Sequence, residues 1–299
     1  MGSRIKRRIQ RAALAFAGLL LVLLGLFAWN GLARDWRRPT IQRTSAPLVA
    51  PVGREFRVFA FNAAKCGFHH GGLDFAPVEE VRARLARLAQ VITAERADLV
   101  CLSEVIFEAG PAPLDQVAYL AEAAGFARHV SAENYSFGLP GYRIRSGNAL
   151  LARVELRAPE VLQLVGGTPF WSPTGNRRAL FVELELDGQW LLVGSLRNDS
   201  FDLANNLRQT RQLLAHLDAR PALLAGDFNA EAHDASLQEL ATTGRFTPLV
   251  ATPATWPAHA PTRRIDHVFA PADWTLLEHH VVATGVSDHL AVVATFRRP

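Results

Sequence analysis

Cysteine is almost missing from this 299-residue chain, which holds only Cys66 and Cys101. Two thiols cannot staple a small disulfide scaffold or furnish a Cys-rich zinc site. A single bridge is open to them in an oxidising compartment; the expectation is two unpaired thiols. Charge of one sign is scarce as well. The 32 basic and 28 acidic residues leave a formal net charge of +4. Much of that excess sits in Arg4, Lys6, Arg7, Arg8 and Arg11, with no acidic residue among them. The rest is close to neutral and does not call for a broad basic nucleic-acid surface. No internal repeat or low-complexity stretch occurs, which speaks against a repeat array. What is present is ample core material: 49% of the residues are hydrophobic and 20% charged, an ordinary globular balance.

Ala12 to Trp29 (AALAFAGLLLVLLGLFAW) carries no charge. As a helix it would extend about 27 Å at ~1.5 Å per residue, enough to cross a bilayer core. A cleaved signal peptide is the rival reading, since a basic start before an apolar run fits both. The run is long for a signal, and Trp29 and Asn30 stand where a small-x-small cleavage site is wanted. Arg7-Arg8 lacks the rest of a twin-arginine signal. An uncleaved anchor is therefore expected over 12–29, behind a basic tail over 1–11. The dense basic tail predicts a cytoplasmic N-terminus, although Arg34, Arg37, Arg38 and Arg43 follow the span. The domain would then be extracytoplasmic, and periplasmic if the source is a Gram-negative bacterium. Residues 30–53, with Pro39, Pro47 and Pro51 and no apolar period, read as a linker.

From residue 54 onward short apolar runs alternate with amphipathic helices. Helical spacing marks Pro77–Glu95 and Leu203–Leu217, and more weakly Leu114–Ala124 and Ala235–Thr242. Strands are predicted at Phe56–Asn62, Leu99–Glu104, Asn148–Arg153, Ala179–Leu186, Trp190–Leu196, Ala222–Ala225, Ile265–Ala270 and Leu290–Phe296. Many are apolar on both faces, as strands are when layers cover both sides. One α/β domain over 54–299 is expected.

Single polar residues punctuate the ends of these runs. RVFAFN closes on Asn62, DLVCLSE on Glu104, and ALLAGDFN on Asp227 and Asn229; RIDHVF carries Asp266, and SDHLAVVATF opens on Asp288 and His289. One acid at a strand end is an ordinary turn residue. Five such events, all offering hard oxygen or imidazole donors, suggest that strand edges gather one site. Mg²⁺, with Mn²⁺ as a substitute, suits oxygen ligands and keeps waters for a substrate; the sparse His and Cys argue against zinc.

Asn62, Ser103-Glu104, Gly147-Asn148 through Arg153, Gly226-Asp227-Phe228-Asn229-Ala230, Arg264-Ile265-Asp266 and Ser287-Asp288-His289 together resemble the endonuclease/exonuclease/phosphatase superfamily, in the family's order. The resemblance implies a four-layer α/β/β/α sandwich of two mixed sheets flanked by helices. It implies Asn62, Glu104 and Asp288 as metal ligands, His289 as the catalytic histidine and Asp266 as its carboxylate partner. Asp227 and Asn229 would position the attacking water and the phosphate. Arg153, Asn198, Trp256 and Arg264 are candidates for substrate contact. The implied activity is hydrolysis of a phosphate ester, with nucleic acid or a phospholipid headgroup as substrate. One departure stands out: in LLVGSLRNDSF, Leu196 falls where many members carry a second histidine. A non-catalytic binding module that keeps the fold is thus the alternative. Lys65, His69 and His70 lie in the loop after the first strand, and such loops border the substrate in this fold.

Overall fold

The computed structural model describes residues 2–51, 53–71, 74–169, 171–172, 175–248 and 253–299; the side chains of residues 2, 3, 70 and 71, and so that of His70, lie outside this set. Strands and helices are numbered in chain order. Helix α1 is Gly2–Ala33. The larger sheet holds β1 (Gln42–Arg43), β2 (Glu55–Asn62), β5 (Leu99–Ala109), β6 (Arg128–Leu139), β7 (Tyr142–Ala152), β13 (Thr275–Val282) and β14 (Ala291–Arg297). Its order is β1-β6-β7-β5-β2-β14-β13. The smaller sheet runs β12-β11-β10-β9-β8, from β8 (Leu156–Gln163), β9 (Arg178–Leu186), β10 (Gln189–Arg197), β11 (Ala222–Asp227) and β12 (Asp266–Phe269). A short hairpin, β3 (His69–Gly71) and β4 (Asp74–Phe75), stands apart from both. The remaining helices are α2 (Val78–Ala94), α3 (Gln116–Ala123), α4 (Leu203–Leu217) and α5 (Ala235–Thr242).

Period-two alternation sorts the apolar residues into three cores. On β2, Phe56, Val58 and Ala60 face the smaller sheet, while Phe59 and Phe61 face α2. On β10, Leu191 and Val193 face the larger sheet, while Leu192 and Leu196 pack against α4. The two sheets thus share one buried interface, and helices cover both outer faces. This is the expected four-layer sandwich. The larger sheet pairs β2 parallel to β5, and the smaller pairs β10 parallel to β11. Each parallel pair is joined through a helix, as parallel strands require.

All eight predicted strands and all four predicted helices are present. Three long strands were not foreseeable from periodicity. The inner face of β6 carries buried Glu133, Asn134 and Ser136, so its polarity hides it. β8 and β13 are half-exposed edge strands without clean alternation. The apolar run extends into a longer helix, and the expected linker is not a free tether. Asn30 is fully buried, and its Nδ2 donates to the Gly138 carbonyl at 3.0 Å. Arg34 Nη1 donates to the Asn134 carbonyl at 3.1 Å, and Arg37 pairs with Glu133 at 2.7 Å. Polar residues at the helix end satisfy the polar face of β6, which explains why Pro content alone misread the segment.

Cys66 faces the helix-side core and Cys101 the inter-sheet core, on opposite faces of one sheet, so both are free and cannot bridge. Burial pushes the Cys66 thiol up to about 12 and the Cys101 thiol higher still. The folded protein should show no thiol titratable by a chromogenic disulfide reagent, and both should react after denaturation. A fast-reacting thiol in the native state would contradict this packing.

Candidate active site

The alternation that builds the inter-sheet core also builds the site. Beyond Val58 and Ala60 the next inward position on β2 is Asn62; beyond Leu223 and Ala225 on β11 it is Asp227; on β12 Asp266 shares the face of Val268. The apolar layer ends at these residues and polar groups continue it. Glu104 needs a further device, because on β5 its parity matches Leu102, which faces α2. An irregularity between Leu102 and Val105, with Glu104 at φ +52°, redirects the side chain. A left-handed backbone on a non-glycine residue is uncommon and concentrates where function holds it. Gly226 (φ +143°) serves the neighbouring strand, since a Cβ there would lie 2.1 Å from the Leu196 carbonyl oxygen.

Asn62 Nδ2 donates to Glu104 Oε1 at 3.1 Å and to Asp227 Oδ2 at 2.9 Å, and its Oδ1 accepts from the Ala64 amide. Burial alone would raise Glu104, but Arg197, Lys65 and Asn62 outweigh it and hold the carboxyl at about 2. Arg197 Nη2 lies 2.9 Å from Glu104 Oε1, its Nε 3.3 Å from Asp227 Oδ2, and Lys65 Nζ 3.3 Å from Glu104 Oε2. Asp227 Oδ1 accepts the Asn229 amide at 3.0 Å. Asn229, also left-handed at φ +49°, donates its Nδ2 to the Asn198 carbonyl at 3.0 Å.

His289 Nδ1 meets Asp266 Oδ2 at 2.9 Å, both side chains being buried. Burial pulls the imidazole down, but Asp266, Asp227 and Asp288 together carry it up to about 9. Asp266 is itself raised, by burial first, with nearby Asp227 adding and His289 opposing. Its Oδ1 is buried without a hydrogen-bond partner. Asp227, Asp266 and His289 each bring a donor atom within 4.8 Å of the others. The carboxylates of Glu104 and Asp227, both joined to Asn62, and the exposed carboxylate of Asp288 offer the hard oxygen donors that a small divalent cation takes.

The remaining predicted residues divide. Trp256 borders the site, its Nε1 donating to Asp288 Oδ2 at 3.0 Å, so Asp288 stands at the exposed margin of the cluster. Asn198 sends its side chain towards Asn206 and Thr210 of α4 and supports the site through its backbone, whose N–H donates to the Asp227 carbonyl. Arg264 is half-buried beside His267 and His279, whose imidazoles are depressed by burial first and by this guanidinium second. Arg153 is away from the cluster. It clasps the carbonyls of Ala97, Gly125 and Ala124 and lies over the Phe126 ring, beside the start of β5. Leu196 is corrected too: it points outward into the α4 core, and Arg197 is the residue of that stretch that faces the site. Alternation along GSLR carries that signal, since Val193 and Arg197 share a parity. Lys65 joins the site, whereas His69 stacks on Phe75. A cavity of about 220 Å³ opens beside Glu104, lined by Lys65, Tyr135, Arg177, Arg197 and Phe201 among others.

Arg153→Ala should lower folding stability by roughly 2–3 kcal/mol, the scale of lost charged hydrogen bonds, and leave the site intact. Calorimetry and turnover together test this; a loss of turnover without a loss of stability would return Arg153 to the site. His289 has a folded value above its ordinary 6.5, so the stability it gains by staying charged is complete below pH 6.5 and lost as pH rises through about 9. In chelator, the difference in Tm between wild type and His289→Asn should therefore shrink between those limits. A difference flat across that range would deny the ion pair.

The chain matches the model of the Endonuclease/Exonuclease/phosphatase family over residues 60–289. No curated protein matches it. Among solved structures, an endonuclease/exonuclease/phosphatase from Beutenbergia cavernae is similar at 26% identity, over 82% of this chain and 72% of that one, with a TM-score of 0.61. The mannosyl-6-phosphatase of Bacteroides thetaiotaomicron is similar at 16% identity, over 81% and 99% of the two chains, with a TM-score of 0.60. A humanised D. rerio TDP2 is similar at 18% identity, over 82% and 100%, with a TM-score of 0.56. The last two show the fold alone. Fold, order of motifs and family match agree: this chain belongs to the endonuclease/exonuclease/phosphatase family.

Proposed function

We propose that the protein is a Mg²⁺-dependent phosphoesterase that cleaves phosphodiesters by attack of an activated water, anchored to a membrane by α1. The observation that carries this reading is the His289–Asp266 pair, set within reach of Asp227 at the end of the inter-sheet seam. Glu104 and Asp288, with the amide oxygen of Asn62, would hold the cation; Mn²⁺ could replace Mg²⁺. When bound, it supplies charge neutralisation on the non-bridging phosphate oxygens. Asp227, fixed by the Asn229 amide and by Asn62, can accept a proton from the attacking water. Asn229 is anchored on Asn198 and keeps that loop shaped against the phosphate. His289, charged through its carboxylate neighbours, can donate to a phosphate oxygen or to the leaving alkoxide. Arg197 and Lys65 add cations that a phosphate can share with Glu104.

One observation favours a second reading. Both Glu104 oxygens already pair with basic side chains, Lys65 and Arg197, as a binding module without a cation would need. Turnover decides between them. Full-length protein in detergent should hydrolyse bis-p-nitrophenyl phosphate with Mg²⁺ or Mn²⁺, and chelation should abolish it. Asp227→Ala and His289→Ala should each lower kcat by about 10²–10⁴-fold with the fold retained. Turnover that survives chelation would defeat the metal-dependent reading, and no turnover with any divalent metal would favour the module.

A further inference from the structure

The end of α1 neighbours the cavity that opens beside Glu104, Lys65 and Arg197 of the proposed catalytic site. Residues Arg4–Ala33 form a helix that holds an 18-residue stretch apolar enough to cross a membrane, with a mean hydropathy of 2.4. Its apolar run ends at Trp29, and the next residue, Asn30, is already buried against β6. The Asn30 side chain accepts from Ser136 Oγ and Arg143 Nη1 as well as donating to Gly138, and Phe27 packs edge-on to Phe137 at 5.2 Å. Arg34 then reaches the Asn134 carbonyl, and Asn134 lines the cavity beside Glu104. Trp29 to Arg34 is five helical steps, about 8 Å at ~1.5 Å per residue. The cavity rim therefore stands within roughly one side-chain length beyond that rise from the apolar run.

A second cavity, about 470 Å³, lies under the same helix end, lined by Arg34, Arg37, Arg38, Thr168, Asn176 and Arg178 among others. Asn176 lines this cavity and the catalytic one alike. The segments around the pair expose large apolar groups: Trp36 is 69% exposed, Phe201 at the catalytic rim 83%, and Leu203 60%. Tryptophan and arginine together are what a protein places at the level of lipid headgroups. Exposed aromatics beside a catalytic opening are otherwise a cost in water.

We propose that this face rests on the bilayer, so that α1 holds the catalytic cavity at the lipid surface and the phosphate ester it takes is carried by a lipid of that membrane. The proposal rests on the phosphoesterase reading and names its substrate class. Arg37 and Arg38 line the cavity under the helix end beside the exposed Trp36, and Phe201 is exposed at the neighbouring opening. This mixture of cation and aromatic suits a headgroup layer better than an all-cationic track for a polynucleotide.

Two measurements on the full chain test it. In mixed phosphatidylcholine–phosphatidylglycerol vesicles, nitroxide labels on Trp36→Cys and Phe201→Cys should meet oxygen rather than a water-soluble nickel complex. A label on Gln189→Cys should meet the nickel complex, because β10 carries residue 189 about 26 Å from Arg197 at ~3.3 Å per residue. Cys66 and Cys101 are buried and will not take label. In the second measurement, a flexible Gly/Ser segment of about 20 residues is inserted after Trp29, with a mean span of about 25 Å. It leaves the docked residues 30–43 unchanged. Release of phosphorylated headgroup from the vesicles should fall about tenfold or more, while turnover of bis-p-nitrophenyl phosphate stays within about twofold. The proposal is overturned if labels at 36 and 201 are as water-exposed as that at 189. It is equally overturned if the insertion changes neither activity, or if plasmid is nicked and no headgroup is released. Absence of turnover on bis-p-nitrophenyl phosphate would instead sink the hydrolase reading, and the depth of the labels would still decide how this face is seated.

Discussion

Everything in this fold depends on the face-to-face burial of two sheets whose central strands alternate apolar residues between the two faces. That burial fixes which side chains of β2, β10, β11 and β12 look inward, and hence where the inward positions run out of apolar partners. The site occupies that margin. Asn62, Asp227, Asp266 and Arg197 are inward residues of ordinary strands, continued one step beyond the core. Glu104 alone reaches the margin by breaking the rule, through a left-handed residue at a strand irregularity.

Charge balance governs the margin itself. Buried carboxylates are expensive unless paired, and here each is met by a donor: Glu104 by Arg197 and Lys65, Asp266 by His289, Asp227 by Asn62 and Arg197. The guanidinium of Arg197 touches both carboxylates gathered by Asn62. It is thus placed either to accompany a phosphate or to stand in for part of a cation's charge.

The strands and helices that pack on both faces were legible because apolar periodicity records burial directly, as in RVFAFN and ALLAGD. β6 was hidden because its inward face is polar and is satisfied by Asn30, Arg34 and Arg37 from a segment that composition alone reads as a linker. The motif residues Asn62, Glu104, Asp227, Asn229, Asp266 and His289 come together in space. Arg153 does not, since a strand-end arginine can serve backbone carbonyls as readily as a substrate. Motif spacing assigned Leu196 a place in the site, but facing is a matter of parity, and parity gives that place to Arg197. Asp288 and Trp256 were each legible as residues, though their mutual hydrogen bond needed three dimensions.

Both sheets contribute a parallel pair bridged by a helix, β2 with β5 and β10 with β11, and both pairs end at the same margin. Asn62 and Glu104 come from one half of the molecule, while Asp227, Asn229 and Asp266 come from the other. No half carries a working set. A sliding of one sheet over the other by even a fraction of the strand repeat would separate donors from acceptors before it exposed much core. The proposed activity would then be lost ahead of the folded state, and so would gauge more sensitively than unfolding how the two halves are seated.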